Sequence, residues 1–482
     1  MPPSLQTPVS PLPEVTHAPS ETGYRALLKN KKFLALWLGQ IFSQIGDRII
    51  FVVFVALIVK YFGASDRYNS YLYIAFTIPA ILLTSIAGVF VDRWPRRATL
   101  VLTNVLRALC VLLLPLASMG ASWIVFTLAF LISTATQFFV PAEAATIPNI
   151  VSKKNLMVAN SLFTTTMMAS VIFGFALGDP LINIFTLERV HWAISALFLL
   201  SSICLLFVKV PLPPKVVSKA APTLKNAFAE FGQEIQEGVS YIKAHPMVRN
   251  GILKLAVLFS TIVAVCIVSI AFAKAYLFSD PQVAARKFAY IVTFSGIGMA
   301  LGAFAVGSSC RHMKRGFLVY GGFLVIGASL ALLAAVQWIP QKEHIFMIPR
   351  LVTAFIYLDE VHFTMRMLYT YSLAVVMGFA AAFVAIPLQA LLHELIPDEI
   401  RGKVLGVQFT LLSTCSTVPV LLAGIAVEQV GVRDVLLCIG IPLTLLGLIG
   451  LVFRIRQFRI QQALVASKQK GASAHHVASA NW

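Results

Sequence analysis

Asp47 is an acidic residue near the middle of the first long apolar run of this sequence. An ionised carboxylate at the centre of a membrane costs roughly 2.5–3.5 kcal/mol on insertion scales. This side chain is therefore expected to be neutral, paired or hydrated. Three roles are open to it: it carries protons, it forms a fixed ion pair with Arg107 of the third apolar run, or it contacts a cationic group of a substrate.

Two short polar stripes accompany this carboxylate. Gln40, Gln44 and Asp47 are spaced by four and three residues, so a helix places them on one face. Asn104 and Arg107 form a similar stripe in the third run. Because a polar face toward lipid is unfavourable, both stripes are expected either to line a cavity or to bond neighbouring helices.

Most of the 20 acidic residues fall in loops or tails between the apolar runs. Asp179 lies toward the end of the fifth run, where it is either part of a gate or simply hydrated. Lys274 lies near the end of the seventh run, and its long side chain is expected to reach the membrane surface. Met167 and Met168 in the fifth run either line an adaptable pocket or pack against neighbouring helices.

Enzyme and metal chemistry have no sequence signature in this chain. It contains no P-loop, no H-E-x-x-H and no G-x-S-x-G context, which disfavours an ATP-driven pump and a hydrolase. The six cysteines are scattered without a C-x-x-C pair, so neither a zinc site nor a disulfide framework is predicted. No cofactor is expected, and any energy input must come from an ion gradient.

Composition identifies the elements that position these residues. The chain has 482 residues, of which 58% are hydrophobic and only 12% charged, whereas a soluble domain carries about 25% charged residues. Twelve spans of roughly 20 residues would use about half of it. The formal charge of +18 fits either nucleic-acid binding or basic loops beside a lipid bilayer. We favour the second, because the basic residues are dispersed between apolar runs.

The apolar runs divide the chain into two halves of six. The predicted fold is an all-α membrane protein with twelve helices in two pseudo-symmetric bundles, at 33–210 and 251–453. Residues 1–32 and 454–482 are predicted tails, the first disordered and the second basic. Lys and Arg are far more numerous on the side of the two tails, which predicts that both termini are cytoplasmic.

Two connections stand out from the rest. The stretch 211–250 carries apolar residues at helical spacing and is predicted to contain an amphipathic helix. That helix is expected on the membrane surface or against the cytoplasmic ends of the spans. The loop 339–366 lies on the other side and is expected to hold an interfacial helix between Phe346 and Tyr357.

The two halves also repeat one another in sequence. Six residues around the fourth and fifth runs recur 246 positions later: Pro141/Pro387, Ala144/Ala390, Ile150/Ile396, Phe163/Phe409, Thr164/Thr410 and Gly178/Gly424. Repeated membrane halves predict a central cavity between two bundles that move against each other.

The loop between the second and third runs reads GVFVDRWPRRATL. It resembles the G-x-x-x-D-R-x-G-R-[RK] signature of the major facilitator superfamily, with Pro95 in place of the usual glycine. The matching residues are Gly88, Asp92, Arg93, Arg96 and Arg97. The resemblance implies that Asp92 contacts the N-terminus of the eleventh span, where a carboxylate is stabilised by the helix dipole. Such a latch would hold the cytoplasm-closed state.

Further segments refine this resemblance. PAEAATIPNIVSKKNLMVANSLF and IPDEIRGKVLG resemble the branch that contains macrolide-efflux, enterobactin-export and lysophospholipid-transport proteins. The fifth run is similar to the antiporter motif G-x-x-x-G-P-x-x-G. It keeps Gly174 and Gly178, while Asp179 and Pro180 take the place of the later glycine.

The expected function is therefore secondary active transport. The main hypothesis is a monomeric, proton-coupled exporter of a small amphipathic molecule in the plasma membrane, with a proton or another ion as coupling partner. A lysophospholipid-type lipid transporter of the same fold is one alternative. A receptor or scaffold without transport is the alternative from another class. No nucleic-acid partner is expected.

Overall fold

The structure is a computed structural model that describes residues 24–63, 65–91, 94–119, 122–208, 224–308, 313–340, 343–345 and 362–479. Nearly all of these residues are helical. Within these residues, ten helices are long and apolar enough to cross a membrane. Two more complete the predicted set of twelve. Val190–Leu206 is apolar but shorter, and Asp66–Val91 has 26 residues. The predicted fold class is confirmed.

We number these helices as spans 1 to 12. Spans 1 to 6 form the N-terminal bundle and are Lys31–Phe62, Asp66–Val91, Arg96–Leu112, Ser122–Ile150, Leu156–Phe185 and Val190–Leu206. Spans 7 to 12 form the C-terminal bundle and are Pro246–Phe272, Pro281–Ser308, Arg315–Leu333, Met365–Leu395, Asp398–Val430 and Val432–Ser479. We call the end where span 1 begins and span 12 ends the terminal face, and the opposite end the distal face.

Local sequence sets several span boundaries. The Asn30 side chain accepts hydrogen bonds from the backbone N–H groups of Lys32 and Phe33, which caps span 1. Gly63 and Gly431 follow spans 1 and 11 with φ of +88°, a conformation that strains other residues. These two turns reverse the chain at the distal face.

The predicted repeat has a structural counterpart at the terminal face. In the N-terminal bundle, Arg96 at the start of span 3 donates to the carbonyl of Ala145 near the end of span 4, at 3.0 Å. In the C-terminal bundle, Arg315 at the start of span 9 donates two hydrogen bonds to Glu394 near the end of span 10, at 2.8 and 2.7 Å. An arginine thus joins the third and fourth spans in each half.

The tails are more helical than the sequence suggested, and the linker contains a helix as expected. A short helix, Tyr24–Lys29, precedes span 1, and span 12 continues as helix to Ser479. The linker helix, Leu224–Ala244, packs on the C-terminal bundle. Its Glu237 pairs with Lys403 of span 11, and its Tyr241 donates to the carbonyl of Leu395 at 3.1 Å.

The long loop after span 9 contains a strand pair that the sequence did not indicate. Strands β1 (Glu343–Ile345) and β2 (His362–Thr364) pair antiparallel. The interfacial helix predicted from Phe346 to Tyr357 lies outside the described residues. The second strand ends directly before span 10, whose first turn is capped by the Thr364 hydroxyl.

The buried apolar clusters are distributed differently at the two ends of the molecule. One cluster in the terminal half of the N-terminal bundle contains only residues of that bundle, among them Phe33, Phe139 and Phe163. The cluster in the distal half combines both bundles, for example Val53 of span 1 with Phe288 of span 8. Within the described residues, the two bundles thus share an apolar core only toward the distal face.

Candidate functional site at the Asp47–Arg107 pair

Asp47 and Arg107 form an ion pair between spans 1 and 3. The Nη1 atom of Arg107 lies 3.1 Å from Oδ1 and 3.0 Å from Oδ2 of Asp47. The Arg107 side chain is fully enclosed, whereas 18% of the Asp47 side chain is exposed. Only the carboxylate is therefore open to the space outside the bundle.

Two aromatic rings hold the guanidinium from the other sides. Its central carbon lies 4.7 Å from the ring centre of Phe139 on span 4 and 5.0 Å from that of Phe198 on span 6. Each ring face attracts a cation, and the attraction is stronger where water is excluded. Arg107 therefore connects four spans of the N-terminal bundle through one buried charge.

The predicted partner residue Asn104 extends the pair into a network. Its Oδ1 accepts from Arg107 at 2.7 Å and from the Ser43 hydroxyl at 3.2 Å. Its Nδ2 donates to Ser201 of span 6 at 2.9 Å, and Ser201 donates to the carbonyl of Gly39 at 2.7 Å. Every one of these groups is buried. The stripe on span 3 thus bonds neighbouring helices.

Gln40 and Gln44 lie on the same buried face of span 1 as predicted. Gln40 donates to the carbonyl of Phe163 at 3.4 Å, but its Oε1 is enclosed without a hydrogen-bond partner in the described part of the chain. Arg48, next to Asp47, packs away from the pair against Gly174 of span 5.

A second buried carboxylate, Glu143 on span 4, was missed by the sequence reasoning. The fourth apolar run ends just before Pro141 in the sequence, but the helix of span 4 continues to Ile150. Glu143 is therefore inside the bundle, 6% exposed, and acts electrostatically on both Arg107 and Asp47. The helical continuation of apolar residues from Ala142 to Ile147 was the signal available in the sequence.

The antiporter-like residues on span 5 divide into two roles. A Cβ at Gly174 would lie 2.5 Å from Cβ of Arg48, and one at Gly178 would lie 3.0 Å from Cβ of Val52. Both glycines thus let spans 1 and 5 approach closely. Pro180 is partly buried within the last turns of the same helix.

Asp179 faces the other bundle. It is 1% exposed. Its Oδ2 accepts from the Tyr290 hydroxyl of span 8 at 3.3 Å, and its Oδ1 lies 3.6 Å from Nε of Arg286. Arg286 also donates to Asn183 at 2.7 Å. Asp179 thus connects span 5 to span 8, and its role as part of a gate stays a prediction.

More ionic contacts join the bundles near the distal face. Lys274, in the helical turn Ala273–Leu277 that follows span 7, pairs with Asp66 of span 2, and Arg67 pairs with Glu428 of span 11. The prediction that Lys274 reaches the membrane surface is wrong, because its side chain is only 11% exposed and its ammonium group is held by Asp66. The Ser70 hydroxyl adds a hydrogen bond to the carbonyl of Val420 at 3.1 Å.

The predicted latch is described only in part. Gly88 has no heavy atom near the position that a Cβ would take, Arg96 bonds the end of span 4, and Arg97 is exposed. Asp92 and Arg93 lie outside the described residues, so the latch stays a prediction.

Residues 36–357 match the sequence model of the Major Facilitator Superfamily, two thirds of the chain. The chain belongs to this superfamily. It is thus an integral membrane protein of a transporter family, which the resemblance in the loop after span 2 predicted.

Relatives and solved structures agree with this membership. The chain is 25% identical to the uncharacterized MFS-type transporter YfiS of Bacillus subtilis (strain 168) over 93% of this chain and 99% of that protein. It is 20% identical to the multidrug efflux pump Tap of Mycolicibacterium fortuitum over 91% and 99%. The fold is similar to that of a mutant of the nucleoside transporter NupG (13% identity, TM-score 0.62, covering 88% and 99%). It also resembles a bacterial homologue of the iron transporter ferroportin in its inward-facing state (14% identity, TM-score 0.61, 88% and 99%).

Proposed function

We propose that this superfamily member is a secondary active transporter that exports a small amphipathic molecule in exchange for protons. The observation that carries the proposal is the uneven contact between the bundles. They share a core and ionic contacts toward the distal face, while the core in the terminal half of the N-terminal bundle is its own. With both termini in the cytoplasm, this arrangement is the inward-open state of an alternating-access cycle.

An ionic centre accessible from between the bundles supports ion coupling. Asp47 is partly exposed while its partner Arg107 is enclosed, so the carboxylate is the part of the pair that is open to a coupling ion. Moving charged groups between a buried and a hydrated environment changes their free energy strongly. The free energy of this network therefore differs between conformations that expose it to water and conformations that do not. A transporter needs such a difference to link ion binding to the conformational change.

An amphipathic substrate is supported by the chemistry of span 5. Met167 and Met168 remain 37% and 38% exposed. Flexible thioethers adapt to apolar ligands of different shape. The relative Tap is a multidrug efflux pump, which supports the same substrate class.

The test uses the purified full-length protein in liposomes with an imposed pH gradient. Ethidium and rhodamine 6G serve as amphipathic cationic probes. We expect at least one probe to accumulate against its own gradient, in the direction opposite to proton flow. Asp47→Asn is expected to lose this accumulation. Glu399→Gln, which changes an exposed carboxylate at the terminal end of span 11, is the matched control and is expected to keep it.

Two outcomes contradict the proposal. Probe accumulation that is independent of the pH gradient in the wild type would overturn proton coupling. An absence of accumulation for both probes, with folded protein in the liposomes, would overturn the proposed substrate class.

A further inference from the structure

Glu143 of span 4 is a buried carboxylate with an unsatisfied oxygen. Its Oε1 is enclosed and has no hydrogen-bond partner among the residues that the structure describes. The residue is 6% exposed. A buried carboxylate with an oxygen that lacks a donor is disfavoured in its ionised form, and either a proton or a cation must compensate it.

The guanidinium of Arg107, the cation near Glu143, is already bonded to Asp47. Glu143 lies one helical turn from Phe139, whose ring contacts the guanidinium of Arg107, and residues four apart share a helix face. Arg107 is the cation that acts on Glu143, and Asp47 acts on it with the opposite sign. Arg107 already donates to both oxygens of Asp47, while Oε1 of Glu143 has no hydrogen-bond partner in the described residues.

One proton makes the group of Asp47, Arg107 and Glu143 electrically neutral. With Asp47, Arg107 and Glu143 all ionised, the buried group carries a net charge of −1, which is costly in a low-dielectric interior. A single proton restores neutrality. It is expected on Glu143, because Asp47 receives the hydrogen bonds of the guanidinium, whereas Oε1 of Glu143 has no donor in the described residues.

One further cation lies beside the pair: Arg48 follows Asp47 on span 1, and its Nε is enclosed without a hydrogen-bond partner in the described residues. Spans 2 and 5 carry Asp66, Arg67 and Asp179, all toward the distal face. On span 3, Arg96 lies at the terminal face and bonds the carbonyl of Ala145. On span 1, Arg48 packs against Gly174 of span 5. The Asp47–Arg107 pair is therefore the charged group that the Phe139 contact places next to the helix face of Glu143, with Arg48 as a further cation on span 1.

Glu143 also lies on the terminal side of the pair. At 1.5 Å per residue, it is about 10 Å along span 4 from Ile150, Arg107 is about 17 Å along span 3 from Arg96, and Asp47 is about 24 Å along span 1 from Lys31. Toward the terminal face the bundles have separate cores. A proton released from Glu143 thus has the shorter path to the predicted cytoplasmic side.

We propose that Glu143 is the residue that takes up and releases the coupling proton, while Asp47 keeps the hydrogen bonds of Arg107. This inference rests on the proposed proton-coupled function. On release, the O–H bond of the Glu143 carboxyl breaks and the proton passes to water at the terminal side. The new carboxylate then competes with Asp47 for the guanidinium of Arg107. Uptake of a proton from water reverses these steps.

The first experiment detects the protonated carboxyl group of Glu143 by infrared spectroscopy. Infrared spectra of the purified full-length protein are recorded as a function of pH for the wild type and for Glu143→Gln. We expect the wild-type spectrum to contain the carbonyl stretch of a protonated carboxylic acid that disappears at high pH and is missing from Glu143→Gln. Glu143→Asp is expected to restore such a band. Identical acid bands in wild type and Glu143→Gln would overturn the proposal.

The second experiment measures whether ethidium transport in liposomes is coupled to the pH gradient. Glu143→Gln is expected to lose accumulation driven by the pH gradient but to keep equilibration of the probe down its own gradient, which shows that the variant is folded. Glu399→Gln is expected to keep both. Gradient-driven accumulation at the wild-type rate in Glu143→Gln would overturn the proposal while leaving proton-coupled transport intact. If the wild type itself ignores the pH gradient, the proposed function fails, and the infrared titration still decides whether Glu143 holds a titratable proton.

Discussion

The guanidinium of Arg107 lies within 3.1 Å of both carboxylate oxygens of Asp47, so spans 1 and 3 are joined by a charge pair inside the N-terminal bundle. The pair is enclosed on the arginine side by Phe139 and Phe198. Of the three roles open to Asp47 from sequence, this geometry favours the ion pair. The carboxylate of Glu143, which the sequence reasoning overlooked, then becomes the better candidate for the mobile proton.

Removing Arg107 should destabilise the protein strongly. Arg107→Leu leaves Asp47 without its partner and removes two ring contacts, and breaking a buried pair on one side costs about 3–5 kcal/mol. Thermal unfolding in detergent would measure the loss. Arg189→Leu, at an exposed site between spans 5 and 6, is the control. The double variant Asp47→Asn/Arg107→Leu should recover part of the stability, and a double variant no more stable than Arg107→Leu would contradict the pairing argument.

Gly174 should not tolerate a side chain. A methyl group there would lie 2.5 Å from Cβ of Arg48, so spans 1 and 5 would have to separate, at a cost of about 1–3 kcal/mol. Gly402→Ala is the matched control, because no heavy atom lies within 4 Å of its added Cβ and alanine is the better helix former. Thermal unfolding of the two variants should change in opposite directions. Equal effects would show that the close approach is not needed.

The surface pair between Lys60 and Glu188 predicts a small dependence of stability on pH. The hydrogen bond from Lys60 lowers the pKa of Glu188 below its ordinary value, which is about 4.3. A lowered pKa means that the stabilisation is complete above the ordinary value and is lost as the pH falls through the lowered one. Both side chains are well exposed, so Glu188→Gln should cost less than about 1 kcal/mol at neutral pH.

Denaturation of the wild type and Glu188→Gln at several pH values provides the measurement. The difference between them should be constant at neutral pH and vanish in acid. A difference that grows as the pH falls would have the wrong sign for this pair.

The Asp66–Lys274 pair should hold the distal face closed. Asp66→Lys places two like charges at the contact between span 2 and the turn that follows span 7, so the population with separated distal ends should rise. Spin labels at residues 189 and 430, in a background without the six native cysteines, would report the distance between the bundles. The swapped pair Asp66→Lys/Lys274→Asp should restore the shorter distance. Unchanged distances in Asp66→Lys would show that the pair does not contribute to closure.

Asp92→Asn tests the latch that the resemblance implies. The variant should remain in the membrane in normal amount but transport more slowly, because a neutral side chain interacts less favourably with a helix N-terminus. Transport assays in liposomes, normalised to the amount of folded protein, provide the measurement. Wild-type rates in this variant would refute the latch.

Much of the architecture follows from local patterns in the sequence. Apolar runs mark the spans, since a helix that crosses lipid must be apolar along roughly 20 residues. Of the residues in the polar stripe on span 1, Gln40 and Gln44 are buried, whereas Asp47 is partly exposed. The partnership of Asp47 with Arg107 was one of the alternatives because both side chains had to find polar contacts inside apolar surroundings.

Other features depend on contacts between residues far apart in the chain. The sequence could not show that Lys274 meets Asp66 or that Asp179 meets Arg286, because those pairs form only when the two bundles approach. It also could not place Glu143, since a proline at position 141 ends a helix in water but is tolerated in a packed membrane helix.

The sequence by itself thus determined the class of protein, the number of spans and the polar residues that need partners, because hydrophobicity and helical spacing are properties of the chain alone. The tertiary structure decided which partners those residues have and which end of the bundles is joined. The physical reason is that a buried charge is defined by everything packed around it, and for Arg107 that environment is contributed by four different spans.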